Sequence, residues 1–259
     1  MNLKEIARFL RNEIRLKTFP VGAKFLADKR DYPKKTRQPS LAMGKRITIC
    51  QAVTMARLYG WTVGISREDL ICVPASLVFG FGGEVDPDET LAKLYSEINF
   101  HKNEIESQKS SKSMTRFEKG EYEALVVAPL EKGLYEPDTV VIFGNPAQVM
   151  RLVQSWTYTE GARIESSFGG KVECSEYLIA PFKSQAPRVV IPGTGDRVFS
   201  MTQDDEMVFA LPGKGAEQLV TGLKEAGSKI GARYPVAPYQ DFEPIFPAPY
   251  KVLERELDI

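Results

Sequence analysis

The sequence predicts a mixed α/β (α+β) fold, a single compact domain over 1–259 with a central mixed sheet flanked by helices. Three observations carry this. Two buried-strand segments, "EALVVAPL" (123–130) and "DTVVIFG" (138–144), stand together in mid-chain. Apolar residues at helical spacing recur near both ends and directly after the second strand. No internal repeat or long linker divides the 259 residues, which suffice to bury a sizeable core as one unit.

In "MNLKEIARFLRNEIRLKTF" the apolar positions Leu3, Ile6, Phe9, Leu10, Ile14 and Leu16 follow helical spacing and predict an amphipathic helix packed on the domain. "FPVGAKFLA" (19–27) reads as a strand and "DKRDYPKKTRQPS" (28–40) as a basic, proline-containing loop. Residues 102–120 are the most polar stretch and predict an exposed loop, while "EKGLYEP" between the two central strands is turn-like. Asn145-Pro146 has the form of a helix start, with Asn as N-cap and Pro at the first helical position, and Gly161 suits the stop. "RVVIPGTGDRVFS" (188–200) and "DEMVFALPG" (205–213) read as strands, and "GAEQLVTGLKEAGSKIGA" (215–232) as a final helix. The Pro- and aromatic-rich tail, 233–259, is expected to wrap the surface in extended form.

Composition narrows function mainly by exclusion. Lys plus Arg and Asp plus Glu each number 34, so no net charge draws the chain to phosphate backbone or acidic lipid, and nucleic acid is not an expected partner. No apolar run approaches the roughly 20 residues that span a bilayer, so no membrane association is expected. The charged N-terminus lacks a signal peptide's apolar core, and the expected compartment is the cytoplasm, where structural disulfides are rare. The single histidine, His101, rules out two-histidine zinc sites and lies in a polar stretch expected to be solvated. "GFGGE" (80–84) and "PGTGDR" (192–197) do not match phosphate-loop patterns, and "PGKGAEQL" (212–219) reads as an ordinary strand-to-helix turn.

The chemistry therefore turns on three cysteines: "ITICQAVTMARLYG" (Cys50), "DLICVPASLVFG" (Cys72) and "KVECSEYLIAPF" (Cys174). In each, an apolar or β-branched stretch leads into the cysteine and a plausible short helix follows. A thiol at a helix N-terminus meets unsatisfied N–H groups and the positive dipole end, which favour thiolate, the form that attacks electrophiles or binds metal. Spacings of 22 and 102 residues match no local metal motif, and free cysteines are often small buried hydrophobes. Structural thiols, a metal or cluster site and a nucleophilic thiolate (Cys50 or Cys174) all stay open on spacing alone.

The chain resembles the uncharacterised DUF169 family of bacterial and archaeal proteins. The matching segments are "CQAVTMAR" (50–57), "LICVPASLVFGFG" (70–82), "GNPAQVMRLVQSWTYTEGARIESSFGGKVECSE" (144–176), "IPGTGDRVFSMTQDDEMVFALP" (191–212) and "RYPVAPYQDFEPIFP" (233–247). The resemblance implies recurring cysteines at the positions of Cys50, Cys72 and Cys174. The family's usual Cys-Pro-Gly at the second position stands here as Cys72-Val73-Pro74.

With that resemblance, the expectation is an iron–sulfur protein. Cys50, Cys72 and Cys174 would hold a [4Fe–4S] cluster with one iron open to a carboxylate, water or substrate, in a cytoplasm of anaerobic type. Zinc on the same thiols is the close rival. The other readings are a metal-free ligand-binding or accessory protein with structural cysteines, and a thiolate-nucleophile enzyme; whether the protein is an enzyme stays open. Arg163 and Arg197 are candidates for gripping a carboxylate or phosphate, and Glu206 or its neighbour Asp205 for a base or fourth ligand in the same pocket. The expected partner is a small-molecule ligand or a redox partner, and the apolar stripe of helix 146–160 is compatible with a homodimer.

Overall fold

The computed structural model describes residues 1–237 and 248–258. Apolar β-branched runs form six strands: β1 (Val21–Leu26), β2 (Val63–Ser66), β3 (Ala124–Pro129), β4 (Thr139–Gly144), β5 (Arg188–Val190) and β6 (Met207–Pro212). They make one sheet in the order β2-β3-β1-β4-β6-β5, and every strand pair is antiparallel. The expected mixed sheet is thus antiparallel, with two isolated parallel bridges, Arg37–Val63 and Ile47–Leu70, beside it. The two central strands read from the sequence do not pair with each other. They flank β1, with Phe25 opposite Leu125 on one side and Val21 opposite Val141 on the other.

Both faces of the sheet are covered, which explains why β3 and β6 are apolar throughout rather than alternating. On one face, α3 (Ile49–Tyr59), α4 (Val73–Val78) and α8 (Glu173–Ser184) pack with Phe25, Leu125, Val127, Val141, Phe143 and Ala210. On the other, α1 (Leu3–Glu13), α7 (Pro146–Glu160) and α10 (Ala216–Glu225) pack with Val140, Ile142, Phe209 and Leu211. Adjacent strand residues therefore serve opposite layers. The remaining helices are α2 (Pro39–Met43), α5 (Pro87–Glu97), α6 (Glu104–Lys112), α9 (Thr194–Ser200) and α11 (Ala248–Leu257). Among the described residues, no helix is long and apolar enough to cross a membrane.

The helix start at Asn145 has the anticipated form: its side chain accepts the Gln148 N–H, the Gln148 side chain accepts the Asn145 N–H, and Gly161 closes α7 at φ 68°. Four expectations give way. The polar stretch 102–120 contains α6, which lacks an apolar stripe of its own but buries Ser107 and Ser111 against α5. Residues 188–200 are strand only to Val190 and then become α9, started where Asp196 reaches back to the Gly193 N–H. The final helix stops at Glu225 and gives way to a short 3₁₀ turn over Ser228–Ile230. In the tail, Ala248–Leu257 is helical rather than extended, while 238–247 lie outside the described residues.

The α5–α6 pair roofs the thiol-bearing helices and is tied down by a polar knot. Arg116 donates two hydrogen bonds of 2.9 Å to the Asp88 carboxylate, and the Ser111 hydroxyl donates to the same group at 2.8 Å. The guanidinium holds the Asp88 carboxyl below the usual carboxylate range, with the Ser111 bond adding to the effect. A depressed folded-state value stabilises the fold above the unfolded value of about 3.9 and loses that contribution as pH falls through the folded value. Asp88→Asn should lower stability at pH 7 by about 1 kcal/mol, or a few degrees in thermal midpoint. The gap from the parent protein should close below about pH 4, read from melting curves across pH.

Candidate functional site

The three cysteines reach one cavity by three local routes. Cys50 is the second residue of α3, whose N-cap Thr48 accepts the Gln51 N–H while Gln51 accepts the Thr48 N–H. Its sulfur lies 2.9 Å from the Thr48 hydroxyl and 3.6 Å from the Gly195 carbonyl. Cys72 is the N-cap of α4, with Pro74 in the first turn. Cys174 is the second residue of α8, beneath Tyr177, Leu178 and Ile179. The expected strand-cysteine-helix setting holds on the helix side only. "RITI" and "DLIC" contribute the single bridge Ile47–Leu70 rather than full strands, and that bridge sets Cys50 and Cys72 side by side.

All three thiols line a cavity of about 340 Å³. Its walls are otherwise chiefly apolar: Leu94, Ile98 and Phe100 from the α5 end, Pro74 from α4, Val172 ahead of α8 and Phe199 from α9. Tyr95, Lys171, Glu173 and Asp196 supply the polar and charged groups, beside Thr48 and Thr194. Among the described residues, no three His, Cys, Asp or Glu side chains form a group that could hold a metal ion.

Electrostatics here run against the simple helix-dipole expectation. Burial pushes the Cys50 thiol up to about 12, and the Asp196 carboxyl adds to this. Cys72 is raised by burial, partly offset by the Ala75 backbone amide. Cys174, buried, is raised well above the usual thiol range by burial, by Asp196 and by each of the other two thiols. Desolvation outweighs the dipole because a thiolate here would have no solvent and no cation hydrogen-bonded to it. Lys171 cannot fill that role: burial lowers its own pKa, and its ammonium donates to the Ser110 hydroxyl and lies over the Tyr95 ring.

Two polar atoms in these walls are buried without a hydrogen-bond partner, the Tyr95 hydroxyl and Glu173 Oε2. Glu173 Oε1 by contrast accepts the Gly169 and Gly170 N–H groups at 2.6 and 2.5 Å. Burial pushes the Glu173 carboxyl up to about 7 despite those two amides. Backbone strain sits at the same corner. Val172 adopts φ 57°, ψ 29°, a left-handed conformation that costs a β-branched residue on the order of 1–3 kcal/mol. Glu173 and Tyr95 were not singled out from the sequence. One is the residue before Cys174, and the other sits in a segment whose helical spacing carries no mark of the cavity.

The other site candidates lie elsewhere. Glu206 is bound by Arg57, whose two terminal nitrogens donate at 2.6 and 3.0 Å, and the guanidinium lies 4.1 Å over the Phe143 ring. Arg197 donates to the Gln203 carbonyl and pairs with Asp204 at 3.9 Å, bracing the turn before β6. Arg163 is exposed in the segment between α7 and α8, and Asp205 faces Lys17 at 4.0 Å on the surface. None of these four lines the thiol cavity, so the structure does not bring them to the pocket the sequence suggested. His101 is half-buried rather than solvated: its ring packs edge-on to Tyr95, and burial lowers its pKa.

Fold and site together define a class: a mixed α/β protein with a three-layer core and one cavity lined by its three cysteines. The chain belongs to the DUF169 family, described as Uncharacterised ArCR, whose family model matches residues 9–222. It is 28% identical over 178 residues to an uncharacterised protein of Methanocaldococcus jannaschii, covering 68% of this chain and 75% of that protein. No solved structure matches the chain.

The Arg57–Glu206 pair is 1% and 13% exposed, so removing one partner strands a buried charge. Glu206→Ala should cost about 3 kcal/mol and drop the thermal midpoint by on the order of 10 °C. Calorimetric melting curves of the variant and the parent protein measure the loss.

Proposed function

We propose that the protein is an iron–sulfur protein in which Cys50, Cys72 and Cys174 hold a [4Fe–4S] cluster, leaving one iron for a ligand other than cysteine. The observation that carries this reading is that all three cysteines, 22 and 102 residues apart in the chain, line one cavity. At about 340 Å³ the space is roughly ten times the ~30 Å³ share of one water, so it has room for a cluster and a small ligand. Two of the thiols start the long helices α3 and α8, whose N-terminal dipoles favour the anionic thiolates and the negative cluster. Apolar walls shield such a cluster from water, which tunes its potential and slows its decay.

The raised thiol pKa values set a pH dependence for metal loading. Iron displaces the thiol protons, so binding releases protons and strengthens as pH rises. The same values weigh against a free nucleophilic thiolate at Cys50 or Cys174, since little thiolate exists near neutral pH at such positions. A metal-free ligand-binding protein is the second reading, favoured by the apolar wall and the protonated thiols. Zinc on the same thiols is told apart by metal analysis. The cluster reading implies a reducing cytoplasm and a small molecule or redox protein that reaches the cavity mouth.

Anaerobic isolation or reconstitution with iron and sulfide should give a brown protein with about four iron and four sulfide per chain. Cys50→Ala, Cys72→Ala and Cys174→Ala should each lose the visible absorption while keeping the far-ultraviolet circular dichroism of the parent. A colourless, iron-free parent protein whose thermal stability ignores iron and sulfide would refute the proposal.

A further inference from the structure

Three thiols leave one position of a four-iron cluster to another donor, and the cavity offers few. Asp196 has both oxygens engaged: Oδ1 accepts the Tyr177 hydroxyl at 2.7 Å and Oδ2 accepts the Gly193 N–H at 3.0 Å. The Thr48 hydroxyl accepts the Gln51 N–H and contacts the Cys50 sulfur, while the Thr194 hydroxyl donates to the Gly170 carbonyl. Lys171 is a cation and repels metal. That leaves the two unpartnered atoms, the Tyr95 hydroxyl and Glu173 Oε2, on side chains only 3% and 1% exposed. A neutral phenol is a poor ligand for iron, and burial raises the Tyr95 pKa further. A carboxylate oxygen is an ordinary one.

The Glu173 side chain is also held for the task. Its Oε1 is pinned by the Gly169 and Gly170 amides, which fixes the carboxyl plane and keeps Oε2 out of the backbone network. A Cβ placed on Gly193 would come within 2.9 Å of the Glu173 Cγ, so glycine there lets the α9 loop close over the side chain. Glu173 lines the same cavity as the three thiols. An unpaired buried carboxyl oxygen costs stability, so its place in the cavity wall calls for an explanation.

We propose that Glu173 is the fourth ligand of the site, its free Oε2 binding the iron that Cys50, Cys72 and Cys174 leave open. This rests on the thiolate-cluster reading above and specifies the donor at its open position. The amide bonds to Oε1 act as the outer support that orients a ligating carboxylate.

The test uses the full chain, reconstituted anaerobically with iron and sulfide, and follows loss of one iron during brief mild oxidation. Conversion to the three-iron form is read by its paramagnetic resonance signal and by released iron. Glu173→Gln keeps an acceptor oxygen for the Gly169 and Gly170 amides but removes the anionic donor. It should still assemble a cluster and lose the fourth iron at least about tenfold faster than the parent protein, as expected when a metal site loses a supporting group. Tyr95→Phe deletes the other unpartnered atom and should retain iron like the parent, and the metal-free melting curves of all three should agree within a few degrees. Equal rates of iron loss in parent and Glu173→Gln, or equal acceleration in Glu173→Gln and Tyr95→Phe, would overturn the assignment while leaving the three-thiol cluster standing. Failure of the parent protein to take up any cluster would overturn both.

Discussion

The cavity depends on how α8 lies across the sheet. From Glu173 to Pro181 every residue of this helix is buried, and it packs on β4, β5 and β6 at once. Buried polar groups on it must find partners, and those partners assemble the site. The Thr139 hydroxyl on β4 donates to the Leu178 carbonyl and fixes the helix on the sheet. The Tyr177 hydroxyl, fully enclosed, donates to Asp196 and so locks α9 against α8. The Thr54 hydroxyl donates to the Ser200 carbonyl and the Cys50 sulfur meets the Gly195 carbonyl, which hold α9 along α3. Cys174 and Cys50 face one space because these bonds leave their helices little freedom, and Cys72 joins them through the Ile47–Leu70 bridge.

A conflict of two physical effects defines the site's chemistry. Helix N-termini favour thiolate, whereas exclusion of water favours thiol, and burial raises the thiol pKa at all three positions. On the proposed function, a bound cluster would supply the positive charge that stabilises three thiolates there. The unpartnered Glu173 oxygen and the left-handed Val172 sit at the same corner, as expected where packing is subordinated to function.

Much of the fold was legible because its signals are local. Continuous β-branched runs announced β3 and β4, and Asn145-Pro146 with a later glycine announced α7. The failures share a cause in tertiary context. α6 has scarcely any amphipathic pattern and is helical because α5 supplies its partner surface. α9 follows directly on a strand and is nucleated by one carboxylate reaching back to Gly193. The strand order could not be foreseen, since β3 and β4, close in sequence, are separated by β1. Of the site, the three cysteines were visible by count and setting. Glu173 was masked by its neighbour Cys174, and Glu206 looked chemically available because its buried partner Arg57 lies 149 residues away.

The central claim is spatial: three distant thiols meet around one metal-containing group. An anomalous difference map at the iron edge, from crystals grown and frozen without oxygen, tests it most directly. The account predicts a single strong iron peak inside the cavity bounded by Cys50, Cys72 and Cys174, with continuous density to each sulfur. An iron-free cavity holding water or a purely organic ligand, with the three thiols turned to separate packing contacts, would contradict it.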